Sequence, residues 1–244
     1  MENFRVEFEK IKESDNTEIL NNFLIELSKS PNAEFLQFLK YFIGNLSSQA
    51  LEKIKLNLIF VLGEIGSLDP LEKEYITFLQ ETYFKSDRWV RNEVIQALEK
   101  ISHNTSIDED IIILIGNALN DEYPLIKLSA LSALSNLRSL PHSVLRNLFL
   151  IMNSKQSELL EGCRKVFRKI SLRPQELFDA LDDSENYKIL NPKGIRSLLL
   201  IQFNLIINLE QFKELIMNSG WDPEYKDNFL REIETFERIL IKNM

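Results

Sequence analysis

Residues 87–102, DRWVRNEVIQALEKIS, place apolar side chains on one face of a helix with 3.6 residues per turn. In a twelve-residue window that starts at Val90, the apolar residues at positions 1, 5, 8, 9 and 12 are Val90, Val94, Ala97, Leu98 and Ile101. The same stretch holds Trp89 between Arg88 and Arg91. An aromatic ring flanked by cations is typical of a binding site, but it also occurs in a structural repeat. The sequence of the rest of the chain distinguishes these two interpretations.

The same apolar face recurs along the whole chain. Matching windows start at Ile54, Val90, Ile126, Leu159, Ile195 and Phe229, which lie 36, 36, 33, 36 and 34 residues apart. Of the thirty marked positions 28 are apolar, whereas the 44% overall apolar content would give about thirteen. The exceptions are Gln202 and Glu237. A period of about 35 residues therefore predicts a chain of structural repeats.

A second helical pattern lies between successive windows, at 70–84, 108–120, 142–153 and 174–183. All seven prolines fall between the apolar helical stretches, several of them directly after a capping residue, as is typical of helix starts. No stretch shows the alternation of a half-buried strand. Each repeat is therefore predicted to be a helical hairpin, and because one hairpin cannot bury its apolar face alone, an all-α solenoid is expected.

Three of the windows resemble the second helix of HEAT repeats: IKLNLIFVLGEIGS at 54–67, DRWVRNEVIQALEKIS at 87–102 and IKLSALSALSNLRS at 126–139. In that family an aspartate near the turn precedes valine–arginine or isoleucine–lysine, and small and apolar residues follow. The resemblance implies a right-handed superhelix of about six hairpins of roughly 35 residues. It implies little about function, because HEAT repeats serve scaffolds, transport factors, adaptors and a few enzymes.

The domain prediction is a single HEAT-like solenoid over residues 1–244. Residues 48–208 carry the clearest repeats, and residues 209–244 are expected to form a C-terminal capping repeat with a polar outer face. Residues 1–46 form either an N-terminal helical cap or a divergent repeat.

Basic residues occupy position 2 of the window in four of the six repeats: Lys55, Arg91, Lys127 and Arg196. The HEAT resemblance implies that they form a charge ladder with aspartates near the turn, for which Asp87 and Asp121 are placed before Arg91 and Lys127. The alternative is a row of cations that receives an acidic partner.

Two groups of residues are candidates for binding a partner. Trp89 with Arg88 could stack on a base or anchor a protein partner, or the ring could pack between repeats. Residues 155–173 carry six cations against two acids, with side chains one turn apart that suit an acidic peptide or a phosphate, or that form a solvated helix face. The candidates of this second group are Arg164, Lys165, Arg168 and Lys169.

No constellation typical of catalysis or metal binding is present in the sequence. His103 and His142 have no metal-ligand spacing around them, and Cys163 occupies an apolar position where a small core residue is expected. We therefore predict no catalytic residue, no metal, no cofactor and no enzymatic activity. A single cysteine, an N-terminus without a secretory pattern and apolar runs far shorter than a membrane helix predict a soluble, cytoplasmic protein.

The leading functional hypothesis is a non-catalytic scaffold or adaptor that binds another protein through the concave surface or ridge of the solenoid. The alternative is nucleic-acid binding through a local basic patch, including a role like that of HEAT-like DNA repair glycosylases, although the net charge of −8 argues against it. A HEAT-like chromophore lyase ranks third. The sequence leaves the partner's identity and the oligomeric state open.

Overall fold

The computed structural model describes residues 2–242, which form helices and loops without any strand. The α-helices are α1 (Glu2–Ile11), α2 (Thr17–Ser28), α3 (Leu36–Asn45), α4 (Ser48–Gly66), α5 (Lys73–Lys85), α6 (Arg88–Ile101), α7 (Glu109–Asn117), α8 (Pro124–Leu134), α9 (His142–Met152), α10 (Ser157–Ile170), α11 (Pro174–Asp182), α12 (Pro192–Gln202), α13 (Ile206–Asn218) and α14 (Pro223–Lys242). Short 3₁₀ segments span Ala33–Phe35, Ala118–Asn120 and Asp183–Ile189. The all-helical prediction is confirmed for this part of the chain.

The helices form two compact units, Met1–Asp108 and Glu109–Met244. The first contains α1 to α6 and the second contains α7 to α14. Each unit is described separately below. Among residues 2–242, no helix is both long enough and apolar enough to cross a membrane.

In the first unit the second helices of consecutive hairpins, α2, α4 and α6, pack side by side. Polar contacts between residues one repeat apart fix their alignment. Asn57 Nδ2 donates to Asn21 Oδ1 at 2.8 Å, and Lys100 Nζ lies 2.5 Å from Glu64 Oε1. Both pairs are 36 residues apart, so residues separated by one sequence period lie next to each other. Because α2 packs against α4, the first two helices continue the stacking of hairpins into the stretch before residue 46.

In the second unit α8 packs against α10, α10 against α12 and α12 against α14, while α11 packs against α13. Contacts one repeat apart recur here as well. Arg196 Nε donates to Glu232 Oε2 at 2.6 Å, and Asn153 Nδ2 donates to the Ile189 carbonyl at 2.8 Å. The period found in the sequence is thus a spatial period in both units.

The repeated apolar face forms the core. Of the thirty marked positions 24 are buried and the other six are half-buried. The face at Val90 is buried throughout, as is the face at Ile54. Four helices begin with proline, at Pro124, Pro174, Pro192 and Pro223. Pro192 and Pro223 follow a capping residue, as predicted, whereas Pro31 and Pro70, which follow Ser30 and Asp69, lie in loops before the next helical segment.

Two helices end earlier than predicted. The window from Ile126 extends to Leu137, but α8 ends at Leu134. The window from Ile195 extends the predicted helix to Ile206, but α12 ends at Gln202 and Ile206 is the first residue of α13. Phe203 has an extended backbone, with φ of −118° and ψ of 117°, and its ring is buried against Phe212. The apolar pattern continues across this break because Phe203 enters the core from a loop and Ile206 is half-buried at the start of the next helix.

Several glycines lie where helices approach each other closely, among them Gly63 and Gly116. A Cβ on Gly63 would lie 3.0 Å from the Ala97 Cα, between α4 and α6. A Cβ on Gly116 would lie 2.6 Å from one methyl carbon of Val144, between α7 and α9. Neither position has room for a side chain at the present helix separation.

Candidate functional site

Trp89 lies on the surface at the start of α6. The Asp87 carboxylate caps this helix by accepting hydrogen bonds from the backbone N–H groups of Trp89 (3.0 Å) and Val90 (3.1 Å). The cap turns Val90 into the core and leaves 59% of Trp89 exposed. The ring therefore does not fill a gap between repeats, which was one of the two predicted roles.

Two further apolar side chains are exposed on the neighbouring helix. Leu56 and Phe60 lie one turn apart on α4 and are 43% and 38% exposed. Glu64 and Lys100 show that residues 36 positions apart align between α4 and α6, and by this alignment Lys53, one turn before Leu56, is the α4 counterpart of Trp89. We call Leu56, Phe60 and Trp89 the Trp89 surface.

Charged groups border the Trp89 surface. The Arg88 guanidinium lies 5.0 Å from the centroid of the Trp89 ring, and Lys100 Nζ lies 4.8 Å from that of Phe60. Glu93 is half-buried, and burial raises the pKa of its carboxyl group, with Lys100 opposing and Glu64 adding to that shift. An apolar area with a charged rim is typical of protein interfaces.

The basic residues at position 2 of the repeated window make contacts within the protein. Lys55 is buried, donates to Ser86 Oγ at 3.2 Å and pairs with Glu52, while Arg91 donates to the Ser86 carbonyl at 3.1 Å. Arg196 pairs with Glu232 one repeat later. These contacts are typical of structural residues.

The other predicted ladder residues, Asp87, Asp121 and Lys127, lie at or near the start of a helix. The carboxylate of Asp121 accepts from the Tyr123 backbone N–H at 2.9 Å, as Asp87 does for α6, and Lys127 is half-buried on α8. Both aspartates thus act on backbone donors at the turn where the ladder was predicted.

The basic stretch lies on α10 in the second unit, so the structure does not bring it together with Trp89 in one compact unit. Arg164 and Arg168 both approach Glu161, at 3.5 and 4.0 Å. Lys165 and Lys169 are exposed, one turn apart. Glu161 thus neutralises part of the predicted patch.

The histidines and the cysteine have ordinary surroundings. His142 Nδ1 lies 3.4 Å from Asp183 Oδ2 on the surface, and Cys163 is fully buried, which raises the pKa of its thiol. Within residues 2–242 no group of histidine, cysteine and acidic side chains could hold a metal ion. The prediction that Cys163 is a core residue is confirmed.

A polar cleft of about 1140 Å³, which we call the α11–α13 cleft, was not predicted from the sequence. Its lining includes six carboxamide side chains, which are Gln175, Gln202, Asn204, Asn208, Gln211 and Asn218. The buried Nε2 atom of Gln202 has no hydrogen-bond partner among the described residues. The one feature of the sequence that indicated this cleft was Gln202, which is one of two polar residues in the repeated apolar face.

Comparisons with solved structures show the fold. An engineered protein solved by the Northeast Structural Genomics Consortium aligns over 96% of this chain and 98% of its own, with a TM-score of 0.56 and 15% identity. A second engineered protein from the same consortium aligns over 95% of this chain and 68% of its own, with a TM-score of 0.51 and 15% identity.

A designed armadillo repeat protein in complex with the peptide (KR)4 aligns over 92% of this chain and 96% of its own, with a TM-score of 0.47 and 13% identity. No protein-family model and no curated protein matches the sequence. At these identities the first two similarities establish a common helical fold and nothing about function. With the contacts one period apart, they describe a helical repeat protein.

Proposed function

We propose that this protein is a non-catalytic scaffold or adaptor that binds a protein partner through the Trp89 surface. The single observation that carries the proposal is the exposure of Trp89, an indole that the repeat does not use in its core. Tryptophan and arginine are the side chains most enriched among residues that dominate binding energy at interfaces. Arg88 lies over the Trp89 ring, which provides both types at one place.

The surroundings of Trp89 support the same function. Exposed Leu56 and Phe60 extend the apolar area onto α4, and the rows of second helices provide an extended surface rather than an enclosed pocket. As finer features, we propose that the repeats are HEAT repeats, about six in number, in a right-handed superhelix, and that the protein acts in the cytoplasm.

Affinity capture with quantitative mass spectrometry tests the proposal. Tagged wild-type protein and the Trp89→Ala variant are each incubated with lysate and cross-linked, and the bound proteins are compared. The control is Leu200→Ala, because Leu200 is also 59% exposed but lies on α12 in the other unit. Truncating a dominant interface residue costs at least about 2 kcal/mol, so we expect about thirtyfold weaker binding for Trp89→Ala and no change for Leu200→Ala.

Circular dichroism first establishes that all three proteins are folded. A set of captured proteins that is the same for wild type and Trp89→Ala would contradict the proposal, as would the capture of none.

Nucleic-acid binding through α10 is the second candidate, supported by the exposed pair Lys165 and Lys169. The contacts of Glu161 with Arg164 and Arg168 weaken this candidate. Duplex DNA binding measured at about 50 mM and about 200 mM salt tests it, since phosphate contacts make affinity fall steeply with salt. Loss of binding in Lys165→Ala/Lys169→Ala would favour this second function.

A further inference from the structure

The α11–α13 cleft is lined by polar stripes on two helices that face each other. Helices normally turn apolar stripes toward a packed neighbour. Here residues at helical spacing on α11 and on α13 are mostly carboxamides and carboxylates, and the lining stretch of α13 from residue 208 to 218 is about 15 Å long. The stripes consist of Gln175, Asp179 and Asp182 on α11 and of Asn208, Gln211, Glu214 and Asn218 on α13.

The charge of the cleft excludes an anionic occupant. Its lining has four carboxylates, on Glu176, Asp179, Asp182 and Glu214, against the single cation of Arg173. That cation is held by Glu176, since Arg173 Nε lies 2.9 Å from Glu176 Oε1 and the Arg173 backbone N–H donates to Glu176 Oε2 at 2.8 Å. These bonds lower the pKa of the Glu176 carboxyl group and keep it ionised at neutral pH. An anion such as a nucleic acid would meet a net negative wall.

The carboxamides offer paired donors and acceptors. Each carboxamide has two N–H donors and one carbonyl acceptor, and Gln211 and Asn218 are exposed while Asn208 is half-buried. Gln202 adds a donor that the described chain leaves unsatisfied. A buried donor without a partner is unfavourable, so rotation of the Gln202 carboxamide toward an acceptor of a bound molecule would be stabilising.

One wall of the cleft is an aromatic ring. Phe178 is half-buried and stacks on Trp221 at a centroid distance of 5.3 Å and an interplanar angle of 6°. Trp221 in turn stacks on Tyr187 at 4.5 Å, and its Nε1 donates to Asp182 Oδ1 at 2.8 Å. The stack fixes both the ring of Phe178 and the carboxylate of Asp182 at the cleft.

We propose that the α11–α13 cleft binds a neutral oligosaccharide. Sugar hydroxyl groups donate and accept at the same atom, which matches carboxamides and carboxylates lining the same cleft, and the apolar face of a sugar ring can pack on Phe178. A peptide is the less suitable occupant, because 13 of the 19 lining residues are polar and peptide anchors require desolvated apolar pockets. The site lies in the second unit and does not depend on the Trp89 surface in the first.

The test is an NMR titration of the full chain, labelled with ¹⁵N, with neutral hexasaccharides of glucose, mannose, galactose, xylose and N-acetylglucosamine. We expect one or more of them to shift the side-chain amide signals of Gln202, Asn208 and Gln211. The affinity should change less than about twofold between about 50 mM and about 500 mM NaCl, because a neutral ligand loses no charge attraction to screening.

The Asn208→Ala/Gln211→Ala variant removes two carboxamides from the cleft. The loss of two hydrogen bonds should weaken binding about thirtyfold. The matched control is Asn22→Ala/Gln37→Ala, which removes two exposed carboxamides from the first unit and should bind as wild type does. Gln211→Ala alone, at an exposed position, provides the comparison if the double variant is not folded.

Three outcomes would overturn the proposal. The first is that none of the hexasaccharides shifts these amide signals. The second is equal binding by wild type and by both cleft variants. The third is that a hexapeptide of alternating lysine and alanine shifts the same signals, with salt-dependent affinity, while no saccharide does.

Discussion

Trp89 and Gln202 are two of the residues that depart from the repeated pattern. Trp89 has no counterpart at the matching position of the other windows, which carry Lys53, Leu125, Glu158, Gly194 and Asn228. The sequence could therefore identify it as unusual, but its exposure follows from the cap at Asp87 and was left open. Gln202 was visible as a polar residue on an apolar face, and the cleft that explains it depends on how α11 and α13 pack.

Replacing Gln202 by leucine is expected to stabilise the free protein. The substitution keeps a similar volume and removes a buried amide donor that has no partner, which should raise the free energy of unfolding by about 1 kcal/mol. Urea unfolding followed by circular dichroism measures the difference. Gln37→Leu is the control, because Gln37 is exposed and should change stability by less than about 0.5 kcal/mol. A Gln202→Leu protein less stable than wild type would show that the amide is satisfied in solution.

At the level of helices, the amphipathic period predicted most elements. The apolar windows locate α4, α6, α8 and α10, since 3.6-residue periodicity with proline at the boundaries is a strong local signal. The end of α12 was missed because Phe203 and Ile206 continue the pattern without continuing the helix. Distances between helices were not predictable either, because they depend on which side chain of the adjacent helix packs against each small residue.

Gly116 gives a test of this close packing. A methyl group on Gly116 would meet Val144 at 2.6 Å, so Gly116→Ala should separate α7 from α9 and destabilise the protein by about 1–3 kcal/mol. Gly44→Ala is the matched control, because Gly44 lies in α3 and its added Cβ has no atom within 4 Å. There the better helix propensity of alanine should stabilise by about 0.5–1 kcal/mol.

Thermal and urea unfolding of both variants give the comparison. A Gly116→Ala protein at least as stable as wild type would contradict the described approach of α7 to α9.

At the scale of the whole molecule, the chain combines a repeated core with surfaces that differ between its two units. Contacts between residues 34 to 40 positions apart recur in both, as in Lys40 with Glu74 and Arg146 with Asn186. Trp89 lies outside the repeated apolar positions that fill the core, and its side chain is exposed. The first unit presents the Trp89 surface, and the second presents the basic side of α10 and the α11–α13 cleft.

The fold was more predictable from the sequence than the function was, and the reason is physical. A core position repeats because every hairpin needs it, whereas a proposed binding residue such as Trp89 occurs once and has no internal comparison. The prediction of one domain over residues 1–244 stays a prediction, beside the two compact units that the structure contains.

Site-specific photo-cross-linking tests the central claim most directly. Benzoylphenylalanine is introduced at position 53, an exposed site on α4 one period before Trp89, or at exposed position 200 in the other unit, so that Trp89 stays in place. The folded proteins are irradiated in lysate. The account predicts one dominant protein adduct from position 53, which excess unlabelled wild-type protein competes away, and no such adduct from position 200. Equal, non-competable adducts from both positions, or no adduct from position 53, would contradict the claim that the Trp89 surface binds a protein partner.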